Sequence, residues 1–392
     1  MHGAPGGQTG ANIDDCIDDV PRLFIDEDKW HKGIALWEKL AKIYSSNATI
    51  GGYDLLNEPI RPAHGTLKNY DYLLPKLEAF YDEAIAAIRK HDKNHMISLE
   101  GHHWAQDLSV FNKKYDDNMI IHFHRYAVLP ERASLDKYLA ASEKWDVPLW
   151  LGETGENKIT WFAAYYQTAL NFGIGYNLWP YKKMGKHNCP ITIKTPKNWD
   201  SIIKYSKGDK HPGYEKASEI LNEFLENLKF KNCILNQDTT NHVFRKVPFS
   251  LRATDFDENP NRNDLYKGSS KKNNVFQYRN NTGLTIIEEY LPKEKEFHFD
   301  TQWDRFLLVL NKGEFVTYSA NELVDGSFLY LDCADTNAVL RISQNVNGLI
   351  ETTELEVTEG GVKLPLNGKG YAEIKIECVA GVVCLRSVTF DV

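Results

Sequence analysis

Two glutamates follow apolar stretches of the chain, a setting that suits acid catalysis. Glu58 lies in IGGYDLLNEP and Glu153 in VPLWLGETG, so each carboxyl group comes where a predicted buried strand ends. The two residues are 95 positions apart, which is about three units of a strand–helix barrel with about 31 residues per unit. Strand ends three units apart lie nearly opposite each other across the mouth of such a barrel. Two carboxyl groups facing one cleft can break a glycosidic bond, because one protonates the leaving oxygen and the other attacks the anomeric carbon.

Other residues near the predicted strand ends have both a functional and a structural interpretation. A lone glutamate in this position more often caps a helix or pairs with a cation, so only the pair favours chemistry. His122 and His124 alternate in HFHRY, and one of them could point into the core as a hydrogen-bonded histidine. The loop residues His102, His103 and Trp104 could line the cleft or pack against their own helix.

A metal site is the other use that the histidines suggest. Zinc-binding barrel hydrolases carry a His-x-His pair early in the barrel and further ligands on later strands. Here the pair of His122 and His124 comes late, and the later strands end in Glu153 and Trp179. We therefore expect neither a catalytic metal nor an organic cofactor.

The elements that must position the glutamates alternate between strand and helix from residue 27 to about residue 229. Apolar residues at three- and four-residue spacing predict helices at 28–44, 74–91 and 159–172. Apolar runs predict five strands, Thr49–Leu56, His95–Glu100, Asn118–His124, Val147–Gly152 and Gly173–Trp179. This alternation predicts an α/β fold with a parallel sheet covered by helices. Because no glycine-rich phosphate loop follows a strand, we favour a (β/α)8 TIM barrel over a nucleotide-binding sheet.

Past residue 250 the pattern changes to short alternating runs separated by Gly, Asn and Asp. Examples are FLLVL, FVTYS, SFLYLDC, AVLRIS, AEIKIEC and VVCLRSVTF. Such runs without a long helical pattern predict an all-β, jelly-roll-like sandwich. The sequence thus predicts two domains, a partial barrel at 1–235 and a β-sandwich at 236–392.

Net charge, apolar run length and cysteine spacing argue against several classes of protein and partner. A net charge of -8 over 392 residues argues against a nucleic-acid partner, because phosphate binding needs clustered Lys and Arg. No apolar run is long enough to predict a membrane span. The six cysteines are scattered without a zinc-like spacing; a Cys378–Cys384 disulfide and free thiols both remain open.

Five segments in order along the chain resemble the strand-end motifs of family 5 glycoside hydrolases, the cellulase family. They are HGAPGGQTG, YDLLNEP, HFHRY, WLGETG and YNLWPYK, between residue 1 and about residue 230. The family consists of retaining β-glycosidases built on a (β/α)8 barrel. The resemblance therefore implies a polysaccharide or oligosaccharide of the β-linked glucan type as substrate.

The resemblance also implies a role for individual residues of this sequence. Glu58 would be the general acid/base and Glu153 the nucleophile. The substrate-binding residues would be Asn57 at the sugar 2-hydroxyl, His124 beside the acid/base, Tyr126 donating to the nucleophile, Trp179 as a platform under the sugar, and His2 at the end of a preceding strand.

The family pattern has two strands and an arginine ahead of the HGAPG segment, with which this sequence starts. We therefore expect a barrel that lacks its first strands, and an extracellular or periplasmic protein whose signal peptide belongs to the missing part. A non-catalytic carbohydrate-binding protein is the alternative function. The C-terminal runs are faintly similar to carbohydrate-binding modules, and a purely structural β-sandwich is an equal alternative.

Overall fold

The computed structural model describes residues 1–335 and 337–392 of the chain. These residues form two compact units that alternate along the sequence. Unit 1 comprises Met1–Arg125, Leu135–Thr154 and Ile174–Asn177, and unit 2 comprises Tyr126–Ser134, Gly155–Gly173 and Leu178–Val392. The predicted domains, 1–235 and 236–392, are a different division of the chain and stay a prediction.

A five-stranded sheet lies in unit 1, apart from the last residues of β4 and β5. Its strands are β1 Gly52–Asp54, β2 Met96–Glu100, β3 Met119–His124, β4 Leu149–Gly155 and β5 Gly175–Trp179. They neighbour one another in chain order, and the pairs from β1 to β4 are parallel. A sheet that keeps chain order winds in one direction, as a (β/α)8 barrel does, whereas a doubly wound sheet reverses its order. The five predicted strands and the partial-barrel fold class are confirmed.

Burial explains why these segments form strands and helices. Nearly every residue of β2 and β3 is buried, as expected for parallel strands covered on both faces. The unit 1 helices are α1 Glu27–Tyr44, α2 Leu74–Arg89, the short left-handed turn α3 His102–Ala105 and α4 Asp136–Trp145. Helices α1 and α2 pack against each other. Leu77, Phe80, Tyr81 and Ala84 form the buried face of α2, at the spacing that predicted this helix.

In the part of the chain that the structure describes, unit 2 contains the remaining helices and thirteen strands. The helices are α5 Ile159–Asn171, α6 Asp200–Ser206, α7 Tyr214–Asn227 and α8 Gln237–Phe244. The first strands are β6 Lys182–Met184, β7 Ile191–Ile193, β8 Ile234–Leu235, β9 Phe249–Arg252, β10 Tyr266–Lys267, β11 Thr285–Glu288 and β12 Phe306–Asn311. The last strands are β13 Phe315–Leu323, β14 Phe328–Cys333, β15 Ala338–Val346, β16 Leu349–Glu356, β17 Val362–Pro365 and β18 Gly370–Asp391.

The all-β part of unit 2 is organised around its longest strand, β18. The first part of β18 pairs antiparallel with β13 and β15, and the second part with β12, β14 and β9. The runs AEIKIEC and VVCLRSVTF therefore belong to one strand of 22 residues, interrupted by irregular register, rather than to two strands. The antiparallel region is confirmed, and the jelly-roll-like sandwich with its carbohydrate-binding role stays a prediction.

No helix among residues 1–335 and 337–392 is both long and apolar enough to cross a membrane. All six cysteines are free thiols.

A buried arginine links several elements of unit 2. Arg245, only 2% exposed, lies at the end of α8 and donates to the carbonyl oxygen of Ala163 on α5 at 2.7 Å. It also donates to Oδ1 of Asp257 at 2.6 Å and to the hydroxyl of Ser319 on β13 at 3.1 Å. Burying a guanidinium group without an anionic partner costs free energy of folding. The burial of Arg245 therefore requires the carboxylate of Asp257 beside it.

We predict that Asp257→Ala lowers the free energy of unfolding by about 3 kcal/mol, because it leaves the Arg245 charge buried and unpaired. Asp264→Ala is a matched control, since Asp264 pairs with Arg262 at 2.8 Å with a side chain 63% exposed. The control should cost less than about 1 kcal/mol. Urea denaturation measures both, and equal losses would contradict the assignment.

Candidate active site

The two predicted catalytic glutamates meet at one imidazole in unit 1. Oε1 of Glu58 lies 2.8 Å from Nδ1 of His124, and Oε2 of Glu153 lies 3.5 Å from the same nitrogen. The metal-ligand-type atoms of these three residues all lie within 4.8 Å of one another. Both carboxyl side chains are about 15% exposed, whereas His124 is fully buried. The structure therefore brings the predicted pair together at the edge of a largely buried site.

Sheet register produces this meeting. His124 is the last residue of β3 and lies opposite Glu153 on β4. Glu58 follows β1, which lies three positions from β4 in the sheet order. Parallel strands present their carboxyl ends at one edge, so residues distant in the chain converge there.

The second nitrogen of His124 continues a hydrogen-bonded chain into the interior. Nε2 of His124 lies 3.1 Å from Nε2 of His122, and Nδ1 of His122 lies 3.0 Å from Oδ1 of Asp54. Asp54 also accepts a hydrogen bond from the hydroxyl of Ser98 at 2.8 Å. His122 is only 4% exposed, so it is the hydrogen-bonded core histidine that the sequence left open.

Burial and neighbouring charges shift the pKa values of three groups around this centre, Glu58, His124 and Asp54. Burial raises the pKa of Glu58 to about 7, although the nearby His2 and His122 oppose the shift. Burial lowers the pKa of His124 to about 3, against the opposing charge of Glu153, so this ring is neutral. Burial alone would raise the pKa of Asp54, but the charge and hydrogen bond of His122 outweigh it and lower that pKa. With its pKa near 7, Glu58 holds a proton below that pH and can donate it in a hydrogen bond to Nδ1 of the neutral His124 ring.

The backbone of Glu58 is held in an unusual conformation. Its φ of 49° lies in the left-handed region, which is uncommon for a residue with a side chain. The N–H of Glu58 donates to Oε2 of Glu100 at 2.7 Å. This contact fixes the peptide that carries the acid.

Gly152 makes room for the histidine pair. A Cβ atom at this position of β4 would lie 1.7 Å from Nε2 of His122. No side chain fits there without displacing the imidazole, so the glycine of the GETG segment is a packing requirement of the site.

The other predicted site residues lie at different distances from this centre. Asn57 is 6% exposed, and its carbonyl oxygen accepts a hydrogen bond from Gln8 at 2.8 Å. His2 is close enough for its charge to act on Glu58. Tyr126 and Trp179 belong to unit 2, so their predicted contacts with the sugar and with Glu153 stay predictions. Trp179 is 42% exposed.

Three further residues of the site were not predicted. Asp54 and Ser98 complete the chain beyond His122, and Glu100 is fully buried at the end of β2. A signal for Glu100 was present, since it ends the predicted strand His95–Glu100 as Glu58 and Glu153 end theirs. Of the alternative loop residues, His102 is buried and His103 contacts Asp71 at 2.8 Å.

Three groups of described side chains have the residue types of a metal site, and one of them is His102, His103 and Asp107. The other two share His124 and are Glu100, His122 and His124, and Glu58, His124 and Glu153. Both ring nitrogens of His124 are already used by the hydrogen bonds to Glu58 and His122. We assign no metal ligands among these groups, and the expected absence of a metal stays a prediction.

Comparison with known proteins finds a family match in the region of the site. The sequence model of the cellulase family, glycosyl hydrolase family 5, matches residues 20–185. The matched region includes Glu58, His124 and Glu153, so the hydrogen-bonded centre described above lies within it.

Individual relatives match shorter parts of the chain. A β-xylosidase of Phanerodontia chrysosporium is 34% identical over 143 residues, which are 36% of this chain and 28% of the relative. An endoglycoceramidase of Hydra vulgaris is 28% identical over 131 residues, 31% of this chain and 23% of the relative. The chain thus spans about a quarter of the length of these relatives. A solved structure of Thermotoga maritima Cel5A, a mutant form with cellobiose, is 22% identical with a TM-score of 0.34 and covers 41% of this chain and 58% of that one.

The raised pKa of Glu58 predicts a pH-dependent stability. The folded protein holds this proton up to about pH 7, whereas the unfolded chain releases it near 4.5. Stability should therefore fall as the pH rises through this window, by at most about 3 kcal/mol from this group.

Replacing the Glu58 carboxyl group by an amide should remove this loss of stability at higher pH. The free energy of unfolding of Glu58→Gln, relative to that of the wild type, is expected to be higher at pH 8 than at pH 5. Urea denaturation at both pH values measures it. Glu219→Gln on the exposed side of α7 is the control and should show no such change. A constant difference between wild type and Glu58→Gln at the two pH values would refute the assigned pKa.

Proposed function

We propose that this protein is a retaining glycoside hydrolase that cleaves β-glycosidic bonds, with Glu58 as general acid/base and Glu153 as nucleophile. The observation that carries the proposal is the contact of both carboxyl groups with Nδ1 of His124, at 2.8 and 3.5 Å. The match of residues 20–185 to the model of glycosyl hydrolase family 5 supports the same reaction class.

The spacing of the carboxyl groups supports retention of configuration. Retaining glycosidases separate them by about 5 to 5.5 Å, whereas inverting enzymes leave about 6.5 to 9.5 Å for a water molecule. The approach of Glu58 and Glu153 to within 4.8 Å leaves no such room. Glu153 is thus close enough to attack the sugar itself.

The first step transfers the sugar to the protein. Glu58 gives its proton to the glycosidic oxygen as the bond to the anomeric carbon breaks, and the alcohol leaves. A carboxylate oxygen of Glu153 forms the new bond to that carbon. The pKa of Glu58, about 7, keeps it protonated for this step at neutral pH and below.

The second step releases the sugar. The Glu58 carboxylate takes a proton from a water molecule, whose oxygen attacks the anomeric carbon and displaces Glu153. Two displacements on the same carbon restore the original β configuration. Glu58 regains its proton in this step and is ready for the next cycle.

The remaining predicted residues complete the proposal. Asn57 would bind the sugar 2-hydroxyl, Tyr126 would donate to Glu153, Trp179 would stack under the sugar, and His2 would contact it. The reaction needs no metal or organic cofactor. We propose a β-linked glucan or related polysaccharide as substrate and a secreted location; the relatives include a β-xylosidase and an endoglycoceramidase, so their names do not agree on one sugar.

We predict that Glu153→Gln lowers the rate of hydrolysis by at least about 10⁴-fold, because the amide cannot form the covalent intermediate. Binding of oligosaccharide, measured by calorimetry, should persist. Glu143→Gln, on the exposed face of α4, is the matched control and should keep full activity. Reducing-end release from polysaccharide by Glu153→Gln at the wild-type rate would disprove the assigned nucleophile.

The same experiment tests the alternative of a carbohydrate-binding protein without turnover. That alternative predicts oligosaccharide affinity in every variant and no release of reducing ends by the wild type.

Glu58→Ala should separate acid catalysis from nucleophilic attack. We expect a loss of about 10²- to 10⁴-fold on unactivated substrates, the usual contribution of a general acid. Aryl glycosides whose leaving group needs no proton should recover much of the rate of the first step. Equal losses on both classes of substrate would contradict the assignment of Glu58 as the acid.

A further inference from the structure

Glu100 is a third carboxyl group in contact with the catalytic centre. It is the last residue of β2, lies opposite His122 on β3, and is fully buried. Oε2 accepts the N–H of Glu58 at 2.7 Å. Oε1 lies 3.2 Å from Nδ1 of His122 and 3.6 Å from Nε2 of His124, without a hydrogen bond of its own. One side chain therefore touches both the backbone of the acid and the imidazoles beside it.

The surroundings of Glu100 favour a neutral carboxyl group. Burial first, then the charge of Asp54, raises its pKa well above the usual range, and Glu58 and Glu153 act in the same direction. His122 and His124 face it from β3, and the hydroxyl of Tyr81 donates to its backbone oxygen at 2.7 Å. Among the described residues, no Lys or Arg forms an ion pair with it.

We propose that Glu100 is a positioning residue that holds Glu58 in the orientation required for acid catalysis; this inference rests on the proposed function. The left-handed backbone of Glu58 costs on the order of 1 to 3 kcal/mol unless its surroundings maintain it. The acceptor at Oε2 maintains it by binding the N–H of that residue. Oε1 packs against both imidazoles, including the His124 ring that contacts Oε1 of Glu58.

A neutral Glu100 also fits the chemistry. Glu58 becomes negative each time it gives up its proton. A second negative charge on Glu100 would oppose that ionisation, whereas a neutral carboxyl group orients the acid without repelling it.

Two substitutions of Glu100 separate the effect of its oxygen acceptor from the effect of its side-chain volume. Glu100→Gln keeps the shape, neutrality and an oxygen acceptor for the Glu58 N–H. Glu100→Leu has similar volume but no acceptor. We expect kcat of Glu100→Gln within about 3-fold of wild type, with the high-pH limb of kcat/KM unmoved.

For Glu100→Leu we expect kcat to fall by about 10²-fold on unactivated substrates, the scale of a misplaced catalytic group. KM should change little. The loss should be smaller on aryl glycosides that need no proton. Rescue by Gln together with this dependence on the leaving group distinguishes positioning of the acid from general damage to the fold.

A second readout does not depend on turnover. Nitrogen NMR of labelled histidines reports whether Nδ1 of His124 accepts a hydrogen bond. Wild type and Glu100→Gln should show the same neutral, hydrogen-bonded ring, and Glu100→Leu should lose that signature. If the wild type hydrolyses no glycoside, the proposed function fails, while this comparison still decides the role of Glu100.

Three results would overturn the proposal. One is a wild-type kcat and His124 signal in Glu100→Leu. Another is a loss in Glu100→Gln as large as that in Glu100→Leu. The third, decisive even if the leucine variant does not fold, is a displaced high-pH limb or an altered His124 signal in Glu100→Gln.

Discussion

The hydrogen bond between Glu58 and His124 is the interaction on which the site depends. Nδ1 of a fully buried imidazole lies 2.8 Å from one carboxyl group and 3.5 Å from a second. Burial keeps the ring neutral and raises the pKa of Glu58, so one physical cause supplies both a proton donor and its acceptor.

The register of the parallel sheet positions Glu58, His124 and their neighbours. Register in the parallel sheet places His124 opposite Glu153 and Glu100 opposite His122, so the interior contacts follow from strand alignment. A shift by one residue would turn these side chains to the other face. Gly152 leaves the space that the His122 ring occupies. The positive φ of Glu58 is a cost located at the site and maintained by its surroundings.

Much of the fold and the meeting of Glu58 and Glu153 could be predicted from the sequence, because strands and helices have distinct apolar periods and strand ends carry the polar residues. The prediction used two strand-end glutamates and missed Glu100, although Glu100 also ends a predicted strand. Its contact with the Glu58 N–H has no counterpart in the apolar spacing. The chain from His122 to Asp54 depends on register, which periodicity does not give. In the C-terminal region the alternation of apolar residues predicted the strands. Gly381 resembles a turn residue in the sequence, so the pattern predicted two strands where the structure has the single strand β18. Glycine also occurs at bulges, where a strand bends without ending.

The central claim is that Glu153 forms a bond to the sugar while Glu58 supplies the proton. Mass spectrometry of the protein after reaction with 2-fluoro β-glycosides of glucose, xylose and mannose tests it most directly, because the fluorine slows release of the intermediate. The account predicts one added sugar per chain, on the peptide that contains Glu153, with retention of configuration in the slowly released product. Hydrolysis of the parent glycosides with no trapped sugar from any of the three reagents, or a sugar attached to Glu58, would contradict it.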